Sequence, residues 1–162
     1  MSTAAQSNIL HRAIYDCMRN IAIFKDLGAS DLELVTKFMH VSRIDKGGTV
    51  FKEGDAGDYV CFVVEGSVEV LKNTDQGTQR RIAELGAGSS IGEMAVIGKS
   101  RRSATVKSSS NATLLTLSRD RFNQICNDFP WIGVKILRAL AQLLGEHLKK
   151  TSKNLSELMP AA

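Results

Sequence analysis

A chain of 162 residues with 43% hydrophobic residues can build one ordinary hydrophobic core and is too short for a second large module. The net charge of +4 is mild and the basic residues are spread along the chain, which argues against a dedicated nucleic-acid surface. Three cysteines without a CxxC pair argue against a disulfide framework, three scattered histidines argue against a metal-binding jelly-roll enzyme, and no apolar run approaches the ~20 residues of a membrane helix.

Two helices are predicted at the start of the chain. Between residues 7 and 23, apolar residues recur at helical spacing, as Leu10, Ile14, Cys17 and Ile21. Ser30, three residues before Glu33, is typical of a capping box and predicts the start of a second, short helix. The buried stripe of that helix is predicted to be Leu32, Val35, Phe38 and Met39. We assign residues 1–29 to an N-terminal amphipathic helix and linker, and residues 30–162 to the main domain.

The middle of the chain predicts short strands and tight turns. Ten of the 13 glycines fall between Gly47 and Gly98, interleaved with short apolar runs. Hairpin turns are predicted at Gly66 and Gly77. We place strands near residues 41–44, 49–52, 59–64, 67–72, 79–84, 89–91, 104–108 and 113–118. Eight strands of this length suit a mainly β fold, an antiparallel double-sheet jelly-roll barrel over about residues 41–118 flanked by helices.

The stretch from residue 85 to residue 106 has the composition of an anion site. Gly92 allows a positive φ, and residues 92–97 could form a short helical turn whose free N–H groups face an anion. Arg102 offers a guanidinium fork that matches two phosphate oxygens, beside the hydroxyl of Ser103. A phosphate repels Glu93 unless that carboxylate faces hydroxyl donors, as acidic residues do when they hold ribose. A phosphate together with a ribose indicates a nucleotide.

These residues carry a family resemblance. The run from Ile91 to Ala95, followed by Arg102-Ser103-Ala104-Thr105, resembles the phosphate-binding cassette of cyclic nucleotide-binding domains, the type found in catabolite activator protein and protein kinase A regulatory subunits. Residues 53–66 resemble the family's other signature, and the resemblance extends over about residues 27–144. It implies that Gly92 and Glu93 hold the ribose 2′-hydroxyl and that Arg102 holds the cyclic phosphate, helped by amides near Ala95 and by Ser103. The predicted ligand-binding residues are Gly92, Glu93, Met94, Ala95, Arg102, Ser103 and Ala104. For Glu93 a second possibility is that it caps the first turn of the short helix.

Two further helices are predicted after the strands, over about residues 119–158. Ser118 is a suitable N-cap for a helix over residues 119–127, and Pro130 suits the first position of the last helix. In that helix, residues at alternating four- and three-residue steps form a coiled-coil seam: Leu137, Ala141, Leu144, Leu148, Thr151, Leu155 and Leu158. The seam predicts a homodimer, with packing of the same leucines back on the barrel or on the first helix as the alternative. No helix-turn-helix pattern follows, so no direct DNA binding is expected.

These patterns predict a non-enzymatic sensor in the cytoplasm, without membrane or metal. It would bind cAMP in preference to cGMP, reposition its C-terminal helix, and signal to an unidentified protein partner. Ser103 is compatible with either base. The alternatives are a degenerate domain that serves as a structural or protein-interaction module, a transcription regulator that acts through a partner, and an enzyme such as a jelly-roll oxygenase or a phosphodiesterase.

Overall fold

The structure is a computed structural model that describes the backbone of residues 3–159 and the side chains of residues 11–159. The side chain of Leu10, in the predicted apolar stripe, lies outside the described residues. The helices are α1 (Thr3–Met18), α2 (Ala29–Thr36), α3 (Met94–Ile97), α4 (Arg119–Asp128) and α5 (Pro130–Leu158), with a 3-10 turn at Ala22–Phe24. The strands are β1 (His40–Ile44), β2 (Thr49–Phe51), β3 (Tyr59–Glu65), β4 (Ser67–Asn73), β5 (Gln79–Gly86), β6 (Ser90–Ile91), β7 (Thr105–Ser108) and β8 (Ala112–Ser118). None of the helices in this part of the chain is both long and apolar enough to span a bilayer.

The strands form two antiparallel sheets of four strands each, in the orders β1-β8-β3-β6 and β2-β7-β4-β5. This confirms the predicted mainly β, double-sheet fold. The predicted closure into a barrel is corrected, because within residues 3–159 no strand pairs with a strand of the other sheet. The edge strands β2 and β6, with three and two residues, are too short to continue from one sheet into the next.

Two layers of core lie on the two faces of the first sheet. Val60 and Phe62 of β3 belong to the larger cluster, which packs the sheet against the helices. Val63 of the same strand belongs to the smaller cluster between the two sheets. Because both faces of β3 are covered, its sequence is a nearly continuous apolar run and not an alternating one. Cys61 is buried in this strand, and burial raises the pKa of its thiol to about 12.

The hairpin turns lie where the sequence predicts them. Gly66, between β3 and β4, has a φ of +78°, and Gly77, between β4 and β5, has a φ of +77°. Backbone at these angles is strained for residues with a Cβ, which explains the two glycines.

The capping-box prediction for α2 is wrong. The helix begins at Ala29, with Gly28 as N-cap and no side-chain cap, so that Ser30 lies within the first turn. The carboxylate of Asp31 instead accepts hydrogen bonds from Lys135 Nζ (2.9 Å) and Trp131 Nε1 (3.2 Å) of α5. The bond from Lys135 lowers the pKa of Asp31. The first turn of α2 is thus held by a contact with a distant segment, which no local capping signal marks.

The start of both C-terminal helices agrees with the prediction. The Ser118 hydroxyl accepts a hydrogen bond from the amide of Arg121 (3.3 Å), and Pro130 begins α5. The buried face of α5 consists of Ile132, Gly133, Ile136, Ala139 and Leu140. All of them except Gly133 join Ile14 and Met18 of α1 in the larger cluster. The division of the chain between residues 29 and 30 stays a prediction.

The predicted seam lies on a different face of α5. Leu148 is 70% exposed and Leu155 is 60% exposed, while Leu144 is half-buried. The alternative that the seam leucines pack back on the same subunit does not hold for Leu148 and Leu155, whereas Leu144 is partly covered by its own subunit. Among the described residues, the last three leucines of the seam, Leu148, Leu155 and Leu158, are exposed.

Candidate functional site

The predicted ligand-binding residues line one cleft. It has a volume of about 550 Å³ and lies between the second sheet, α3 and the second half of α5. Phe51, Val70 and Val106 supply apolar walls from the sheet. All of the predicted residues border it, namely Gly92, Glu93, Met94, Ala95, Arg102, Ser103 and Ala104. Their part in binding stays a prediction.

Arg102 is the charged centre of the cleft. Its side chain is only 5% exposed, and its Nη2 donates to the carbonyl oxygen of Tyr59 (2.8 Å). The guanidinium carbon lies 4.0 Å from the ring centroid of Phe51 and 4.5 Å from that of Tyr59, within reach of cation–π attraction. Its buried Nε and Nη1 atoms have no hydrogen-bond partner among the residues that the structure describes. A buried cation with two free donor atoms is suited to an anion.

Gly92 lets the backbone approach this cation. Its φ is +77°, and a Cβ at this position would overlap Nη1 of Arg102. Any larger residue would therefore both strain the backbone and displace the guanidinium.

Glu93 is a buried carboxylate with hydrogen-bond acceptor positions still available. Its side chain is 7% exposed, and Oε1 accepts a hydrogen bond from Ser90 Oγ (2.8 Å). A carboxylate offers about four acceptor positions, so one serine hydroxyl leaves most of them free. Glu93 occupies the N-cap position of α3 but makes no side-chain cap hydrogen bond, which contradicts the capping alternative.

The remaining cassette residues border the cleft in different ways. The amide of Ala95 donates to the carbonyl of Gly92 (3.1 Å), so this predicted anion donor already takes part in the first turn of α3. Met94 is exposed at the rim and Ala104 is buried. Ser103 is exposed, and its carbonyl accepts a hydrogen bond from Lys72 Nζ, which also pairs with Glu53 (2.7 Å). The Lys72 hydrogen bond is the main reason why the pKa of Glu53 is lowered.

Several residues at the cleft escape the sequence prediction. Phe51 and Tyr59 stack on Arg102 from strands 43 or more positions earlier, and no local pattern marks such pairs. Leu144, His147 and Thr151 of α5 also border the cleft. The seam pattern contains Leu144 and Thr151, but it gives no sign that they face a ligand. Among the described residues, no group of His, Cys, Asp or Glu side chains could hold a metal ion.

Comparison with known proteins gives consistent matches. The sequence model of the cyclic nucleotide-binding domain matches residues 41–129. A putative potassium channel protein of Rhodopseudomonas palustris is 32% identical over 89% of this chain and 35% of its own length. A CRP-like cAMP-activated global transcriptional regulator of Mycobacterium tuberculosis is 24% identical over 89% of this chain and 62% of its own. The chain thus spans between about a third and two thirds of these relatives.

Solved structures show the same architecture. A cyclic nucleotide-binding domain from Methylobacillus flagellatus superposes with a TM-score of 0.82 at 27% identity, covering 96% of this chain and 88% of that one. The catabolite activator protein of Thermus thermophilus gives a TM-score of 0.76 at 26% identity, covering 85% of this chain and 62% of that one. The likeness includes the helices as well as the sheets, since the first match covers nearly the whole chain.

Proposed function

The chain belongs to the cyclic nucleotide-binding domain family, and from this premise we propose that it is a regulatory sensor that binds cAMP in preference to cGMP. The observation that carries the proposal is the buried Arg102, whose Nε and Nη1 are free donors in the cleft. The cAMP preference is supported by the cAMP-activated regulator among the relatives. Calorimetry with both cyclic nucleotides is the direct test, and absence of binding by either would refute the proposal.

Each side of the nucleotide has a matching group in the cleft. Arg102 would bind the cyclic phosphate through its two free donor atoms, as a charge-assisted pair. Glu93 would accept the ribose 2′-hydroxyl, because its carboxylate is buried close to Gly92 and has acceptor positions left beside the Ser90 bond. Ser103 stands at the rim, with Met94 and Ala104 as apolar contacts.

The signal would leave through α5. Leu144, His147 and Thr151 lie on the cleft, so a nucleotide that fills it touches this helix. A ligand shifts a helix only by its different affinity for the two positions of that helix, and typical coupling free energies are ~1–3 kcal/mol. The contacts of Leu144, His147 and Thr151 with the nucleotide would provide that difference, because they would form only when α5 lies against the cleft.

A second copy of the chain is the partner that best fits the exposed seam. Its residues follow the heptad spacing of a two-stranded coiled coil, and Leu148 and Leu155 are largely exposed in one copy. Leu144 belongs to the seam and also lines the cleft, so the pairing of two subunits and nucleotide binding would be coupled. A downstream protein would read the state of the dimer.

Glu93 is expected to report on the ribose. We expect 2′-deoxy-cAMP to bind more weakly than cAMP by ~1–3 kcal/mol, because a buried carboxylate acceptor is left without its donor. In Glu93→Gln this penalty should shrink, since an amide oxygen accepts without charge assistance. Calorimetry of both ligands on both proteins measures it. The matched control is Glu84→Gln, an exposed carboxylate outside the cleft. Equal affinities of the wild-type protein for the two ligands would contradict the assigned role.

A further inference from the structure

Arg119 is the first residue of α4, and its side chain donates hydrogen bonds to main-chain carbonyls in and near the cassette. Its Nε donates to the carbonyl of Ala95 (2.7 Å), and its Nη2 donates to the carbonyls of Gly98 (3.1 Å) and Gly57. No carboxylate of the described residues forms an ion pair with it. All the hydrogen bonds of this guanidinium therefore go to backbone carbonyls, in two segments that are distant in sequence.

The position of these carbonyls explains the need for a cation. Ala95 and Gly98 lie in and directly after α3, a helix of only four residues. The last carbonyls of a helix lack partners within it, and a cation there also matches the negative end of the helix dipole. A single turn is unstable by itself, so outside contacts fix its position. Arg119 provides such contacts at the end of α3 opposite to Glu93.

The backbone of Arg119 is fixed at the start of α4. The Arg119 amide donates to the carbonyl of Asp58 (2.7 Å), and Ser118 caps α4. Further along, α4 packs on α5 at a close crossing, where a Cβ on Gly133 would lie 3.0 Å from the Cα of Cys126. Such a close crossing leaves little room for the two helices to slide independently.

We propose that Arg119 is a positioning residue that carries a displacement of α3 to α4 and α5, and so couples the filling of the cleft to the position of α5. The proposal rests on the proposed function, since the nucleotide is the signal that moves α3. The cassette cannot shift without either moving Arg119 with it or breaking its carbonyl bonds. Because α5 returns to the cleft at Leu144 and His147, the coupling acts in both directions.

The chain contains a built-in reporter of α5. Trp131 is its one tryptophan, lies in the first turn of α5, and donates to Asp31 of α2. A shift of α5 against α2 changes the surroundings of this indole, so that its fluorescence reports the position of the helix.

The test compares Arg119→Gln and Arg119→Lys with Arg121→Gln, an exposed arginine on the same helix. In Arg119→Gln we expect cAMP affinity to fall ~5- to 150-fold, the range of typical coupling. At saturating cAMP the Trp131 response should be largely lost although the ligand is bound. Arg119→Lys should recover part of both, because an ammonium reaches fewer carbonyls than the fork. Arg121→Gln should behave as the wild-type protein does.

A purely structural role gives a different result. If Arg119 only stabilises the fold, its variants unfold at lower temperature but show the full Trp131 response at saturation, which would overturn the proposal. If Arg119→Gln fails to fold, Arg119→Lys provides the same comparison.

Hydrogen exchange without ligand separates the two proposals. Arg119→Lys should accelerate amide exchange in both α3 and α5, relative to Arg121→Gln. Unchanged protection of α5 would overturn the role of Arg119. A wild-type protein that binds neither nucleotide would refute the nucleotide proposal alone, because the exchange result still decides whether Arg119 links the helices.

Discussion

Replacing Arg102 by alanine is expected to weaken cAMP binding by ~2–5 kcal/mol, or roughly 30-fold to several thousand-fold. In the proposed complex the cyclic phosphate would leave water on binding, and its charge would be balanced by Nε and Nη1 of this buried guanidinium, which have no partner among the described residues. Arg102→Lys should restore only part of the affinity, because an ammonium has no fork for two oxygens. Isothermal calorimetry measures all three proteins directly.

The matched control is Arg101→Ala. Arg101 carries the same charge one residue earlier, but it is exposed and its Nη1 donates to the carbonyl of Gly54 (2.8 Å). Its removal should change affinity little, since exposed charges are screened by solvent. Loss of binding in Arg101→Ala with retention in Arg102→Ala would reverse the assigned roles.

Loss of the Arg102 charge should weaken cAMP binding without lowering the stability of the nucleotide-free protein. Two buried donor atoms of Arg102 have no partner within residues 11–159, which disfavours the folded state, while the rings of Phe51 and Tyr59 offset part of this. We expect Arg102→Met to leave the thermal unfolding midpoint unchanged or to raise it, and to abolish the rise that cAMP causes. A large loss of stability without ligand would instead mark Arg102 as part of the structural core.

Replacing Leu148 by glutamate is expected to convert a dimer into a monomer. Pairing would bury one carboxylate from each copy beside the other, and an unpartnered buried charge is opposed by several kcal/mol. Even ~3 kcal/mol weakens the dimer about 150-fold. Ala141 and Thr151 bury less apolar surface in the seam than leucines would, so the dimer has little stability in excess. Sedimentation velocity at micromolar concentration measures the change.

The control for this variant is Lys149→Glu, which places the same acid one residue later, at an exposed position outside the seam spacing. It should remain dimeric. Both variants should keep the thermal unfolding of the sheets, because Leu148 is exposed and outside both buried clusters. Sedimentation of the wild-type protein as a monomer, with and without cAMP, would refute the dimer.

Local signals explain what the sequence predicted well. The eight strands follow from apolar runs separated by glycine turns, and Gly66 and Gly77 have the positive φ that those turns require. Ser118 and Pro130 act at the starts of their own helices, so the signal and its effect lie within a few residues. That the predicted binding residues share one cleft could be anticipated because they lie close together in the chain, from Gly92 to Ala104.

Contacts between distant segments account for what the sequence did not reveal. Ser30 lies within the first turn of α2 and not at its N-cap, and Asp31 bonds to Trp131 and Lys135 of α5, 100 and 104 positions away. The contact of Arg102 with the aromatic rings and the hydrogen bonds of Arg119 to backbone carbonyls connect segments that no sequence periodicity links.

The sequence by itself therefore determined the family, the strands and the set of residues that line the cleft, because each is marked by short-range patterns along the chain. The tertiary structure decided which face of α5 is buried, since a helix of 29 residues presents several apolar stripes and only packing selects one. It also decided that Arg102 has donor atoms without partners in the described part of the chain, because burial and hydrogen-bond partners exist only after the sheets and helices have assembled.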